Sequence, residues 1–244
     1  GVWYRVAVGW DGSNLWLTVN GETRSRPRTG TPTPCTDPLE IGPVNGALDD
    51  LRIDNPRARD TLAVAWWPLD GDLRDAAGRG HDIAATNCAF AEARGGRALR
   101  AGGRELRVPD EPDFRAASGL RVVCDVRFDR IPTNGATIVR KEGEYLLRVD
   151  PAAEGGVLAF FVHLGGWEPR IRGEQRIRAG VWYHIAAGWD GRFATLEVNG
   201  ETSRGHRSGT AQPRGQPLTI GPFDGLLANV RIENPRRPVV HVAD

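Results

Sequence analysis

Apolar and polar residues alternate along this chain with a period of two. Runs such as Leu120–Phe128 (LRVVCDVRF), Trp182–Trp189 (WYHIAAGW) and Leu227–Ile232 (LANVRI) are short, and Gly, Pro, Asn and Asp separate them. A period of two sends successive side chains to opposite faces of a strand. Strands spaced about 8–12 residues apart and bounded by turn residues are the mark of an all-β sandwich. Helical periodicity is almost absent. Strands are predicted at Leu62–Pro68, Ala98–Ala101, Glu105–Val108, Leu120–Phe128, Thr137–Lys141, Tyr145–Val149, Leu158–His163, Arg170–Arg172, Trp182–Trp189, Ala194–Val198, Leu218–Ile220 and Leu227–Ile232. Asp190-Gly191 and Asn199-Gly200 supply tight hairpin turns. Asp70–Asp82 reads as a Gly/Asp-rich loop.

The pattern occurs twice. Gly1–Arg57 aligns without a gap on Gly180–Arg236, with 31 of 57 positions identical. The first copy therefore predicts strands at Trp3–Trp10, Leu15–Val19, Leu39–Ile41 and Leu48–Ile53. A repeat of whole-domain size sets the domain organisation. The second copy carries about 120 residues upstream (60–179), which the first lacks. The expected organisation is the C-terminal half of a domain at 1–57, a complete domain at 60–237, and the possible start of a further repeat at 238–244. A half sandwich alone exposes strand edges and an apolar face. Its other half lies in residues outside this sequence, comes from another chain by strand exchange, or is replaced by packing of 1–57 on the complete domain.

Composition narrows the function classes. The net charge is +1, from 32 basic and 31 acidic residues, and Lys141 is the only lysine. Near-neutrality and the absence of a basic module argue against nucleic acid as a partner. No run approaches the roughly 20 apolar residues of a membrane helix. Cys35, Cys88 and Cys124 show no CxxC spacing, so a zinc site is not expected. Cys124 falls on the apolar face of its strand and reads as a buried thiol; a Cys88–Cys124 disulfide is the alternative.

Particular residues carry a resemblance. The run Trp182, His184, Ala186, Asp190, Gly191, Leu196, Val198, Asn199, Gly200 resembles the W-x-H-x-A-x-x-x-D-G-x(3–5)-L-x-V-N-G pattern of the laminin-G-like, concanavalin A-like jelly-roll family. Leu48–Asn55 and Leu227–Asn234 resemble its closing strand. Trp67-Pro68-Leu69-Asp70 followed by Asp75, Gly78 and Gly80 resembles its opening. The resemblance implies a two-sheet antiparallel jelly-roll sandwich, here in tandem. It does not by itself imply a function, because this fold hosts lectins, adhesion modules, structural repeats and glucanases.

Candidate sites follow from that frame. Glucanases of this fold resemble E-x-D-x-x-E, and a retaining pair needs carboxyls about 5–5.5 Å apart. Glu142, Glu144 and Asp150, or Asp125 with Asp129, lack that spacing and read as solvated charges, so no catalytic residues are expected. His184 occupies the family's W-x-H position, where a structural role is the default. The family's calcium site implies hard oxygen ligands from the closing and opening strands: Asp49 in the first copy, with Asp70 as the opening-strand candidate. In the second copy Ala228 replaces the closing-strand carboxylate, and Asn229 is expected on the opposite face. Glu168–Arg178 places Arg170 and Arg172 on one strand face beside Trp167. Such a row can clamp the sulfate or carboxylate groups of a glycan; the alternative is a solvated face with cross-strand ion pairs. Arg24, Arg26, Arg28, Arg204 and Arg207 read as ordinary exposed loop charges. Trp10 and Trp189, before each DG turn, read as packing residues.

The expected function is a non-catalytic extracellular or cell-surface repeat with a structural or adhesive role, as a surface layer, stalk or filament. The alternative is a carbohydrate-binding module for an anionic or neutral glycan. The expected partners are neighbouring copies or adjacent repeats, joined by strand exchange, and glycans.

Overall fold

The structure, a computed structural model, describes residues 2–4, 6–10, 14–20, 22–28, 45, 47, 63–93, 96–116 and 119–234. The chain divides into two compact units, Gly1–Ala58 and Arg59–Asp244. The closing strand expected at Leu48–Ile53, the strand at Leu39–Ile41, Cys35, Asp49 and residues 238–244 lie outside the described residues.

In the first unit, β1 (Val6–Trp10), β2 (Asn14–Val19) and β3 (Glu22–Pro27) form an antiparallel sheet in that order. Val6 stands opposite Val19 and Val8 opposite Leu17. The β2–β3 hairpin turns at Asn20, whose φ is 51°. Asn tolerates this left-handed backbone better than most residues, which is why an Asn-Gly pair closes a two-residue hairpin.

The second unit holds fourteen strands among the described residues, β4 to β17: β4 (Ala63–Trp67), β5 (Ala89–Ala93), β6 (Gly96–Arg100), β7 (Leu106–Val108), β8 (Leu120–Phe128), β9 (Ala136–Lys141), β10 (Tyr145–Val149), β11 (Val157–Val162), β12 (Ile171–Arg176), β13 (Trp182–Trp189), β14 (Phe193–Val198), β15 (Glu201–His206), β16 (Leu218–Ile220) and β17 (Gly225–Glu233). They make two sheets. One runs β12-β11-β10-β9-β16-β7; the other runs β15-β14-β13-β8-β17-β6-β5, with β4 also paired to β17. The non-consecutive order is a jelly-roll sandwich, as the alternating pattern implied. Short 3-10 turns lie at Pro112–Phe114 and Ala152–Glu154. None of the described helices is long and apolar enough to cross a membrane.

The core lies between the sheets. Val139, Leu147, Phe160 and Ile220 face Val122, Val126, Ile185 and Leu196, all nearly inaccessible to solvent. Burial of each such side chain contributes about 1.5–3 kcal/mol. Cys124 is buried in this layer and Cys88 is half-buried; both are free thiols. Burial, and secondarily the charge of Asp125, pushes the Cys124 thiol far up, so it packs as a small hydrophobe.

Three strands, β3, β5 and β15, were not predicted. The sequences ETRSRP and ETSRGH lie at sheet margins and carry charged or small side chains on both faces. They lack the alternation that signals a half-buried strand. β5 (AFAEA) is likewise a margin strand, and its run of Ala gives no β signal.

The opening loop is organised by one buried carboxylate. Asp75 accepts hydrogen bonds from the backbone N–H groups of Trp66, Ala77, Arg79 and His81, at 2.9–3.2 Å. Gly78 and Gly80, at φ 69° and 84°, allow the loop to curl around it. The ring N–H of Trp67, itself fully buried, donates to the His81 carbonyl.

Candidate functional site

Of the sequence-predicted ligand residues, Arg172 lies on β12, on the face of β10–β12 that looks away from the core, Arg170 just precedes that strand, and Trp167 lies in the loop between β11 and β12. The register puts Arg148 opposite Ala159 and Ala159 opposite Arg172. In the next row Leu146 faces Phe161. Leu158, Phe160 and Val162, the alternate positions of β11, belong to the core. Yet Phe161 is also buried, at 4% exposure, because other side chains cover it. The guanidinium groups of Arg148 and Arg170 lie 4.7 and 5.5 Å from its ring centre. Trp167 meets Phe161 edge-on at 6.4 Å and His163 at 5.0 Å.

The arginine row is not a row of free cations. Asp150, fully buried, lies at 2.9 Å from Arg148, 3.1 Å from Arg170 and 3.3 Å from Arg172. Glu154 and Glu168 each approach Arg170 to 2.8 Å. Arg172 also donates to the Glu154 carbonyl. Three guanidiniums therefore share three carboxylates. Such a network holds its members in place more than it attracts anions, since a buried carboxylate without these partners would be strongly destabilised. Of the two readings of Arg170 and Arg172, the geometry has the form of cross-strand ion pairs.

The loop that presents Trp167 is held from the other sheet. Arg207, just past β15, donates to the carbonyls of Val162 at 2.7 Å, Gly166 at 3.0 Å and Glu168 at 2.7 Å. Burial lowers its pKa, partly countered by Glu168. Its own carbonyl accepts the ring N–H of Trp189 at 2.6 Å. The expectation of an ordinary exposed charge at Arg207 is thus corrected: it clamps the Trp167 loop. Its sequence signal was available, since Arg28 and Arg207 are identical across the repeat. Trp189, 3% exposed, is a packing residue; the Trp10 side chain lies outside the described residues. Arg204 lies over the Phe193 ring at 3.8 Å, and Arg24 and Arg26 are exposed on a strand, not in a loop.

The other acidic candidates are structural. Glu142 is half-exposed and pairs with Arg140. Glu144 and Asp150 are both fully buried, which corrects their reading as solvated charges. Glu144 accepts the Ala116 N–H at 3.0 Å and lies 3.8 Å from the ammonium of Lys141. Lys141 is itself fully buried and donates to Asp110 and to the Gln216 carbonyl. Burial raises the Asp110 carboxyl, but the hydrogen bonds from Lys141 and Arg115 outweigh this and hold it low. On the opposite sheet Asp125 pairs with the His184 ring at 2.6 Å and accepts the Asn229 amide at 2.7 Å. Asp129 pairs with Arg100 and Arg127.

The calcium expectation divides in the same way. Asp49 lies outside the described residues. Asp70 accepts the Arg97 backbone N–H at 2.6 Å, tying the opening segment to the β5–β6 hairpin. Asn229 is not on the opposite face: a bulge in β17 between Ala228 and Arg231, with Asn229 at φ 52°, turns its amide to Asp125. Among the described residues no group of three His, Cys, Asp or Glu could hold a metal.

A cleft elsewhere in this unit is lined by Cys88, Arg100, Arg104, Leu106 and Ile220. At about 200 Å³ it is smaller than ordinary ligand pockets, which start near 300 Å³.

Two sheets in jelly-roll order, the opening Trp67–Asp75 segment and the hairpin of the W-x-H motif now stand together. A family model described as the concanavalin A-like lectin/glucanases superfamily (Laminin_G_3) matches residues 101–239. The chain belongs to this superfamily. Among solved structures this superfamily member is similar to domain 4 of AbnA, a GH43 extracellular arabinanase from Geobacillus stearothermophilus, in complex with arabinotriose. The identity is 21%, the TM-score 0.57, and the match covers 71% of this chain and 92% of that one. It is also similar to the binding domain of botulinum neurotoxin serotype C1, at 11% identity and TM-score 0.53, over 71% of this chain and 49% of that one. A third is the binding domain of botulinum neurotoxin DC in complex with SialylT, at 10% identity and TM-score 0.53, over 72% of this chain and 48% of that one. This chain thus spans about half the length of the toxin domains. These likenesses show the fold. No curated protein matches the sequence.

Proposed function

We propose that the complete unit is a non-catalytic, extracellular glycan-binding module. Its binding surface is the outer face of β10–β12 around Trp167, and its ligand is a neutral oligosaccharide. The observation that carries this reading is the pose of Trp167. Its half-buried indole is braced edge-on by Phe161 and His163, and its loop is pinned by three hydrogen bonds from Arg207. An aromatic ring with a wet side offers a sugar an apolar platform beside polar groups. The adjoining ion-pair network provides preorganised donors and acceptors that need no rearrangement on binding. Because the arginines already hold carboxylates, a neutral glycan suits the face better than a sulfated one. The arabinotriose bound by the arabinanase domain of the same fold supports this substrate class.

Absence of catalysis is part of the proposal. Glu144 and Asp150 are engaged by cations or backbone donors, which disfavours both as acid or base. Adhesion or scaffolding through such a module accords with the repeated sequence.

The test is calorimetric titration with arabino- and xylo-oligosaccharides chosen from a glycan array. Trp167→Ala is expected to lower affinity at least tenfold, whereas Trp182→Ala, on the other sheet, leaves it unchanged. Equal affinity in both variants, or no neutral glycan bound on the array, would refute the assignment.

A further inference from the structure

The internal repeat allows each position of β1–β3 to be compared with a position whose tertiary environment is known. Residues that face the core in β13 and β14 are Tyr183, Ile185, Ala187, Ala194 and Leu196, exposed by 5%, 0%, 0%, 1% and 0%. Their equivalents in the first unit are Tyr4, Val6, Val8, Leu15 and Leu17, exposed by 63%, 59%, 71%, 49% and 43%. The register is the same: Val8 stands opposite Leu17 as Ala187 stands opposite Leu196. The same face that is sealed in one copy is open in the other. A contiguous apolar face of this kind marks an interaction surface.

A second feature points the same way. β13 pairs with β8 from Trp182↔Arg127 to Trp189↔Leu120. Among the described residues, β1 pairs only with β2, and no counterpart of β8 lies along its other edge.

We infer that this face and edge dock a half-domain of another laminin-G-like repeat: a strand equivalent to β8 along β1, and a sheet equivalent to β7, β9–β12 and β16 over Tyr4, Val6, Val8 and Leu17. The interaction is strand addition with a hydrophobic seal. It is independent of the glycan reading.

The occupant is a related half-domain and not a second copy of this protein's own. In a second copy the covering layer is already engaged, with Leu147, Leu158 and Phe160 at most 1% exposed. Its shape is also wrong. A Cβ at Gly205 would lie 2.6 Å from Ile171 Cδ1, so any larger residue there displaces the tip of that side chain. The first unit has Arg26 at that position, and Val8 and Leu15 where the second has Ala187 and Ala194. The cognate layer therefore has smaller side chains opposite Val8 and Leu15, and a polar or acidic group where Ile171 stands.

The test supplies such a layer. Gly1 aligns on Gly180, so a second copy of residues 60–179 can be fused directly before Gly1 of the full chain, once with Arg26 and once with Arg26→Gly. The readouts are binding of the dye ANS and hydrogen exchange of residues 6–19; the unfolding transition of the complete unit serves as the folding control. The unfused chain is expected to bind ANS and to be monomeric at micromolar concentration. The Arg26→Gly fusion is expected to lose most ANS binding, at least fivefold, and to protect residues 6–19, with a smaller effect in the Arg26 fusion. Unchanged ANS binding and exchange in both fusions would overturn the inference. So would an unfused chain that is a dimer with no ANS binding, since the face would then be closed by a second copy.

Discussion

The hairpins β1–β3 and β13–β15 are the same design in two surroundings. Both carry GVWY, Asp-Gly and Asn-Gly at matching positions in sequence, and both end in a polar margin strand. One presents its apolar register to solvent; the other buries it to within a few per cent. Local sequence therefore specifies strand, turn and register in both. What differs is the partner layer, and burial is a property of the pair of layers, not of either one.

The strongest way to break this comparison is to delete the same methyl groups from both copies. Leu196→Ala is expected to destabilise the complete unit by about 2–5 kcal/mol, since it leaves a cavity in a closed core. Leu17→Ala is expected to cost less than about 0.5 kcal/mol, as an exposed substitution does. Urea unfolding of both variants measures the contrast, and equal losses would mean that the first face is covered.

A smaller effect is expected at Arg207, which joins β15 to the Trp167 loop. Arg207→Ala should destabilise by about 2 kcal/mol, because three loop carbonyls lose a charged donor. Faster hydrogen exchange confined to residues 163–168 would locate the loss. Uniformly faster exchange would show that Arg207 supports the whole sheet instead.

The smallest effect concerns pH. The first copy has Arg5 where the second has His184. The hydrogen bond that the His184 ring donates to the Asp125 carboxylate raises the His184 pKa above 6.5, against partial burial. A raised folded pKa adds stability that is complete below 6.5 and fades as pH rises through the folded value. The ring is half-exposed, so the increment is under about 1 kcal/mol. His184→Arg should flatten the dependence of Tm on pH between 6 and 9 by that amount. Retention of the full slope would place its origin elsewhere.

Much of the fold was legible from residues alone. The strands at Leu120–Phe128, Tyr145–Val149 and Trp182–Trp189 appear with the predicted bounds, because alternation over a buried face is a strong signal. Margin strands were not legible, since nothing about ETSRGH demands burial. Trp167, Arg170 and Arg172 do gather on one face. The carboxylates Asp150 and Glu154 that pair with these arginines, and Arg148 that shares them, were not foreseen, because they come from other strands or turns brought near only by sheet register. Glu144 and Asp150 looked like turn charges for the same reason. A carboxylate's burial depends on whether a distant Lys or Arg reaches it, and no spacing along the chain encodes that.

By itself, then, the sequence determined the alternation, the turns, the family and the fact of the repeat, all of which rest on interactions between near neighbours. Tertiary structure alone decided which charges are neutralised, which loop Arg207 clamps and which of two matching hairpins is sealed. Those outcomes depend on contacts between segments far apart in the chain, where a side chain's energy is set by what the fold lays against it.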